Sequence, residues 1–407
     1  MDRVPGALAE YQSRRLASFL IQVPAKSPLT ERRMEFGSIP LLEKSELQQR
    51  SLHFISSGAD PEAHFRVQTT GSTGVPLEIW FDRRYFVSFY AYFLYFLHRH
   101  KLRPRPFTVS LMSLSVSPKA SYDQDNYWFI QPALNFSFFQ RVNLRSGAWT
   151  SPAAVVEFIA SKDPMTIRAF PSTLEVFADY VEEYPSSRAI RPPTIISDGE
   201  TLLPAVRERL ERVFQAAVVD EYGLSEAGGA VALECRERCG FHVNVLDYYV
   251  EIVDADGRPV PDGIEGEVAI TNLYHCLVPI VRYSTGDYAT MTSEPCRCGA
   301  LSPRITKLSG RQLSRFKLSN GESYSPFEMY REYLLSLPVR RFQMVQENME
   351  TFTLSFIGDP AVIESPLIQG LRSKVRLLHS DAAVLRLQRV QDLPAGRKFQ
   401  VFVTLPD

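Results

Sequence analysis

The chain has 407 residues, 45% hydrophobic and 22% charged, with 45 Lys+Arg against 46 Asp+Glu and a net charge of −1. That composition excludes the disordered, collagen-like and coiled-coil classes, and the balanced charge lacks the basic excess of a nucleic-acid binder. The longest uncharged stretch, Asn126 to Gln140, contains Asn, Gln and Ser and falls short of the roughly 20 apolar residues of a membrane span.

At roughly 100–200 residues per domain the length predicts two or three domains. The amino-terminal MDRVPGALAEYQSRR carries no apolar leader, and five cysteines in a chain of this size suit a reducing compartment. The expectation is a cytoplasmic protein with no membrane and no nucleic-acid partner.

In chain order, residues 1–66 read as helix and loop, with Ile39-Pro40-Leu41-Leu42-Glu43-Lys44-Ser45-Glu46-Leu47 turning into a helix capped by Ser45. Two strand-like runs follow in VQTTGSTGVPLEIWF. The segment Tyr85–Leu97 is aromatic all round, which predicts a buried helix. From Phe107 to Val219, β-rich runs (TIRAF, PTIIS, AAVVD) alternate with helical ones such as VRERLERVF. That alternation predicts a partly parallel sheet. From Tyr249 to Tyr283 the runs YVEIVD, EGEVAITNL and PIVRY give the hairpin-and-barrel pattern of a smaller β unit. The tail after Ser309-Gly310-Arg311 alternates helices and strands in about a hundred residues, the size of a small α+β domain. The expected fold class is therefore α/β: a large N-terminal domain over 1–309, β-rich from about 245 to 309, and a small α+β cap over 310–407.

Familiar nucleotide signatures are missing. No two glycines stand at i and i+2, and no Gly precedes Lys, which removes both the G-x-G-x-x-G fingerprint and the G-x-x-x-x-G-K phosphate loop. Thr69-Thr70-Gly71-Ser72-Thr73-Gly74 packs hydroxyls and glycine amides together, a concavity of donors suited to phosphate, although a polar hairpin loop has the same composition. Asp220-Glu221-Tyr222-Gly223-Leu224-Ser225-Glu226 follows a strand. Ligands bind at such strand ends, where a tyrosine stacks on a base and a carboxylate holds Mg²⁺. Arg282-Tyr283-Ser284-Thr285-Gly286-Asp287 offers a carboxylate to ribose hydroxyls, and Lys398 sits in a glycine turn before the last strand. Cys235-x₃-Cys239 and Cys296-x-Cys298, with His242 nearby, form two tight pairs that suit tetrahedral zinc from four of these five residues. The same spacing is compatible with ordinary reduced thiols.

Taken in order, these elements resemble the ANL adenylate-forming superfamily, most closely its phenylacetate–CoA ligase-like branch, over nearly the whole chain. IPLLEKSEL, TTGSTGVP, Ser197-Asp198-Gly199-Glu200, EYGLSEAGG, RYSTGD, Gly310-Arg311 and GRKFQVFV are similar to successive family motifs. The resemblance implies ATP-dependent activation of a small carboxylic acid to an acyl-adenylate, then transfer to a thiol. Coenzyme A is the expected acceptor; a carrier-protein thiol, or a nucleotide-binding module without ligase activity, are the alternatives. Thr69, Thr70, Gly71, Ser72, Thr73 and Gly74 would hold phosphates. Gly199, Glu200, Glu221, Tyr222 and Gly223 would surround adenine. Asp287 and Arg311 would take the ribose, and Ser225 and Glu226 would approach phosphate and Mg²⁺. Lys398, carried on a mobile cap, would stabilise the first transition state. Some relatives in this branch carry zinc. The chain departs from the family where Val75 replaces a loop lysine and Leu313 replaces the hinge aspartate. Aromatic residues Tyr122, Trp128, Phe129, Phe136, Phe138 and Phe170 precede or flank the expected acid pocket.

Overall fold

The structure is a computed structural model. It describes residues 7–22, 35–50, 65–68, 77–81, 84–116, 127–131, 136–145, 147, 149–186, 188–274, 279–311, 315–324, 326, 329–334, 336–391, 393 and 401–404. These fall into two compact units, one of residues 1–103 with 219–308 and the other of 104–218 with 309–407.

The first unit opens with α1 (Ala7–Gln22), α2 (Lys44–Arg50), the hairpin β1 (Phe65–Gln68) and β2 (Glu78–Phe81), and α3 (Arg84–Arg99). Helix α2 begins at Lys44, so Ser45 lies inside it rather than capping it. The reason is upstream: the Leu42 amide donates to Arg282 O at 2.9 Å and its carbonyl accepts from Ser284 N at 3.0 Å. The chain is thus held extended until Glu43. Helix α3 buries Phe93, Phe96 and Leu97, whereas Val87 and Leu94 are exposed. It is buried along one face and not all round.

The second unit takes the next stretch: β3 (Val109–Ser115), β4 (Tyr127–Gln131), β5 (Ser137–Asn143), α4 (Pro152–Lys162), β6 (Thr166–Ala169), α5 (Pro171–Glu183), β7 (Thr194–Asp198) and α6 (Pro204–Phe214). Strands β3, β5, β6 and β7 pair in parallel, and β4 closes the edge antiparallel to β5. The near-continuous burial of β6 and β7 is what a parallel strand covered on both faces requires.

The chain returns to the first unit with β8 (Ala217–Leu224), β9 (Gly229–Glu234), β10 (Phe241–Val243), β11 (Tyr248–Val253), β12 (Gly266–Asn272), β13 (Tyr283–Thr292) and β14 (Arg304–Arg311). Their order in the sheet is β11-β12-β13-β14-β10-β9-β8. This is an open ladder, not the closed barrel that the sequence pattern suggested, because β14 continues onto β10 and not back to β11.

The second unit then ends with β15 (Phe316–Lys317), β16 (Ser323–Tyr324), a short helical turn over Tyr330–Leu334, β17 (Val339–Gln346), β18 (Thr351–Gly358), α7 (Pro366–Leu378), β19 (Val384–Arg389) and β20 (Phe402–Val403). One apolar cluster of this unit joins Leu174, Phe177 and Phe214 with Tyr330, Leu334, Phe342 and Phe352. Each such side chain contributes about 1.5–3 kcal/mol when fully withdrawn from water. The α/β class expected from the sequence is the one observed. Among the described residues no helix is long and apolar enough to cross a membrane.

Candidate functional site

In the first unit, β8 runs on through Leu224 instead of ending at Asp220 as the sequence suggested, because Glu221–Leu224 pair with β9. Its last residues meet β13 through side chains. Tyr222, buried, donates its phenolic O–H to Asp287 Oδ2 at 2.8 Å. Asp287 is presented by a built turn. Its amide donates to Thr285 Oγ1 at 3.1 Å, Thr285 Oγ1 donates to Val268 O at 2.8 Å, and Gly286 N donates to Glu267 Oε1 at 3.0 Å. Strand β8 bulges between Tyr222 and Gly223 against β9. A Cβ on Gly223 would lie 2.9 Å from Gly229 O, so only glycine allows this approach.

The loop Ser225–Gly228 is pinned by its Ala227 carbonyl, which accepts from Asn272 Nδ2 at 2.7 Å and Tyr248 O–H at 3.1 Å. Gly228 has φ +92, and a Cβ there would meet the Tyr274 hydroxyl at 2.3 Å and the Phe81 ring at 2.8 Å. Ser225 is exposed while Glu221 and Glu226 are buried. Glu226 is only 5% exposed, and its carboxylate is met by Lys44 Nζ at 3.2 Å.

Lys44 and Arg282 are functional-site neighbours that the sequence reasoning did not single out. Arg282 is 2% exposed and forms a bidentate pair with Glu251, at 3.1 Å to each oxygen. Its remaining donors reach Ile39 O at 2.6 Å, Gly257 O at 2.6 Å and Gly37 O at 3.3 Å. These bonds hold the segment that delivers Lys44. Beside them, burial pushes the Glu43 carboxyl above its usual range. The charges of Glu267 and Glu46 act in the same direction, and a hydrogen bond from Ser284 opposes them. Both residues stood within motifs already noted, but their partners lie far off in sequence, so spacing carried no signal.

Gly199 and Glu200 belong to the second unit. Gly199, at φ +70, lies under Phe170, whose ring would be 2.5 Å from a Cβ. The Glu200 carboxylate accepts from Ser172 N at 3.1 Å and Ser172 Oγ at 3.0 Å. It therefore satisfies an orphan donor at the start of α5 and complements the helix dipole. Phe136 is half exposed and stacks on Phe107 at 5.9 Å. Thr69, Thr70, Gly71, Ser72, Thr73, Gly74, Tyr122 and Lys398 lie outside the described residues, and so do the side chains of Trp128, Phe129 and Arg311.

A second constellation forms where β10 meets the turn after β13. The ligand atoms of Cys235, His242, Cys296 and Cys298 all lie within 4.8 Å of one another. Cys235 and Cys296 Sγ are 3.5 Å apart, and Cys298 Sγ is 3.2 Å from His242 Nε2. Tetrahedral zinc with bonds of about 2.3 Å to sulfur needs edges of about 3.8 Å, so small adjustments would seat an ion. The donor set is also prepared for one. His242 Nδ1 faces Ser302 Oγ at 3.0 Å and Ser302 O at 3.3 Å, so a proton at Nδ1 leaves Nε2 aimed into the cluster. Glu237 N donates to Cys235 Sγ at 3.3 Å and Ala300 N to Cys298 Sγ at 3.5 Å.

Burial pushes the Cys235 thiol up to about 12, with hydrogen bonds from Cys296 and Cys298 adding to the rise. Burial also raises Cys298, but the Ala300 amide, the two neighbouring thiols and Arg99 outweigh it and bring that thiol below its ordinary value. Of the five candidate ligands, four converge and Cys239 does not. Its Sγ faces Glu237 O and Arg297, each at 3.3 Å.

The chain belongs to the AMP-binding enzyme family, whose profile matches residues 52–274. Among curated relatives it is 32% identical over 156 residues to a phenylacetate-coenzyme A ligase of Thermus thermophilus, covering 36% of this chain and 34% of that one. It is 36% identical over 116 residues to the corresponding enzyme of Escherichia coli, covering 28% and 26%. The matched region thus spans about a third or less of the length of these relatives. Among solved structures, a 2-hydroxyisobutyryl-CoA ligase in the postadenylation state superposes with a TM-score of 0.74 at 18% identity, covering 98% of this chain and 90% of that one. An anthranilate CoA ligase bound to anthranoyl-AMP gives 0.57 at 14% identity, over 85% and 67%. The fold is that of the adenylate-forming ligases, and the resemblance drawn from the motifs holds.

Proposed function

We propose that the chain activates a small carboxylic acid with ATP, releasing pyrophosphate and forming an acyl-adenylate, and then transfers the acyl group to coenzyme A. The observation that carries this reading is the bond between Tyr222 and Asp287. It joins two separate motifs in a chain of the AMP-binding enzyme family. In this reading Tyr222, Glu221 and Gly223 border the adenine. Gly199 contributes its backbone there, and Glu200 acts through α5. Asp287 and Arg311 take the ribose, and Thr69–Gly74 take the phosphates.

Mg²⁺ at Glu226 would supply neutralisation of phosphate charge; the buried carboxylate already pairs with one cation, Lys44, which supports its use toward another. Ser225 stands beside Glu226 at the phosphate side. Lys398, on a mobile cap over 310–407, would lie between the acid and the α-phosphate and stabilise charge that develops only in the transition state. An aryl or apolar acid is favoured by the phenylacetate-CoA ligases among the relatives.

Zinc held by Cys235, His242, Cys296 and Cys298 is assigned a structural role. Three thiolates and the His242 imidazole would hold it there, and it would supply a cross-link between β10 and the turn after β13. Reduced thiols at these cysteines and at Cys239 accord with a cytoplasmic setting.

ATP–pyrophosphate exchange across a panel of aryl, fatty and amino acids, without thiol, tests the reading. Exchange with one acid class is expected. Silence across the panel with ATP binding intact would overturn it in favour of a nucleotide-binding module. A carrier-protein acceptor is a second reading, motivated by the surplus of 13 Lys+Arg over 10 Asp+Glu after Gly310. Offering coenzyme A and a pantetheinylated carrier to the same adenylate separates the two acceptors.

A further inference from the structure

Helix α3 ends against the cysteine cluster. Arg99, in its last turn, directs one guanidinium nitrogen to Cys298 Sγ at 2.8 Å and to Cys298 O at 3.2 Å. The contact is short for nitrogen and sulfur and engages a ligand atom of the candidate metal site. The turn is fixed in place by its neighbours. The His100 ring packs on Phe96 at 4.5 Å, and Phe96 and Leu97 are buried. Burial and the nearby charges of Arg236 and Arg99 lower the His100 pKa to about 4, so it stays neutral beside them. Arg99 is then the cation in contact with the cluster from α3.

Charge gives this contact its meaning. Three thiolates, one neutral imidazole and Zn²⁺ sum to −1, in a site where Cys235, His242 and Cys296 are buried. A net charge left in such surroundings is costly unless it is compensated. The guanidinium fork supplies the compensating charge together with a directed N–H to sulfur, which a mobile ammonium would do less well.

The opposite end of α3 carries Tyr85 and Ser88. Tyr85 packs on Phe81 with ring centroids 5.0 Å apart and flanks the apolar cluster that holds Tyr222, Ala227 and Tyr274. Ser88 donates to Asp247. At 16 residues, α3 spans about 24 Å from the Cys298 turn to the segment following β8.

We propose that Arg99 is the positioning residue of the metal site: it neutralises the anionic three-cysteine, one-histidine centre and ties the carboxy-terminal turn of α3 to it, so that metal occupancy and the placement of α3 depend on each other. The proposal rests on the zinc reading above and identifies what that centre is coupled to.

Zinc affinity of the full-length chain, measured by competition with a chromophoric chelator, and amide exchange across residues 84–99, with zinc bound and after chelation, test it. Wild type is expected to bind one zinc and to lose protection at residues 96–99 on chelation. Arg99→Gln is expected to bind zinc about 10- to 100-fold more weakly, the usual effect of losing an outer partner of a metal ligand. Its protection at 96–99 should be low and insensitive to the metal. Arg99→Lys, which keeps the charge but not the fork, should fall between the two and guards against a misfolded glutamine variant. Zinc affinity of Arg99→Gln within two-fold of wild type, with α3 exchange still responding to chelation, would overturn the role of Arg99 and leave the metal site standing. A wild-type chain that binds no zinc would overturn both.

Discussion

Tyr222 and Asp287 each have a role that depends on the other. Tyr222→Phe removes the donor to a buried carboxylate, at a cost of about 1–3 kcal/mol in unfolding free energy. In the proposed reaction its KM for ATP should rise while exchange remains measurable at saturation; both quantities come from denaturant titration and exchange kinetics. Lys44 makes a separate case. Lys44→Met removes a cation 3.2 Å from the buried Glu226 carboxylate, and loss of a nearby opposite charge disfavours the ionised form. The acid limb of the exchange pH profile should therefore move to higher pH by on the order of one unit, and a profile superimposable on wild type would refute the pairing. The sequence announced the residue types at 222, 226 and 287 because they fall in ordered motifs. It was silent on Lys44 and on the choice of His242 over Cys239, since both are decided by which loops the fold folds together.

Elements placed side by side give a prediction with a definite sign in pH. Glu175 on α5 is contacted by Arg341 on β17 at 3.3 Å. Burial is the larger influence and raises the Glu175 pKa from 4.5 to about 7, against lowering by Arg341 and Arg209, with Asp179 and Glu200 adding to the rise. Between those values the native chain holds a proton that the unfolded chain has lost, so stability falls as pH rises through the window and is fully present below about pH 4.5. Glu175→Gln should abolish that slope, which melting curves from pH 4.5 to 7.5 would record. Strand periods and helix patterns were legible along the chain because side chains alternate with fixed geometry. The start of α2 was not, because a backbone bond to the distant Arg282 carbonyl sets it. The open ladder was also hidden, since the pairing of β14 with β10 joins segments about sixty residues apart.

At the scale of the whole molecule, each compact unit is visited twice by the chain. The sequence predicts a boundary near 309, at the Ser309-Gly310-Arg311 break. The common core of 104–218 and 309–407 is not legible there, because apolar side chains do not specify their partners. We infer that a fragment ending at 309 would leave Phe177 and Phe214 without the Tyr330, Leu334 and Phe342 that share their cluster. It should bind a hydrophobic dye and lose cooperative melting; a fragment that melts cooperatively without dye binding would refute this. Any excursion of the cap in the proposed reaction must also release the Glu175–Arg341 contact.

The clamp made by Arg282 reads backbone and not side chains. Apart from Glu251, it grips the chain through the carbonyls of Gly37, Ile39 and Gly257, which every amino acid possesses. In a library randomised at positions 37, 39, 251 and 282, tolerance should therefore be lopsided. Position 282 should return arginine alone, since no other side chain offers five donors in a fork. Position 37 should drift widely, because a Cβ there meets nothing within 4 Å. The anchoring of the amino-terminal segment is thus a constraint written almost entirely at one codon, remote from the residues it holds.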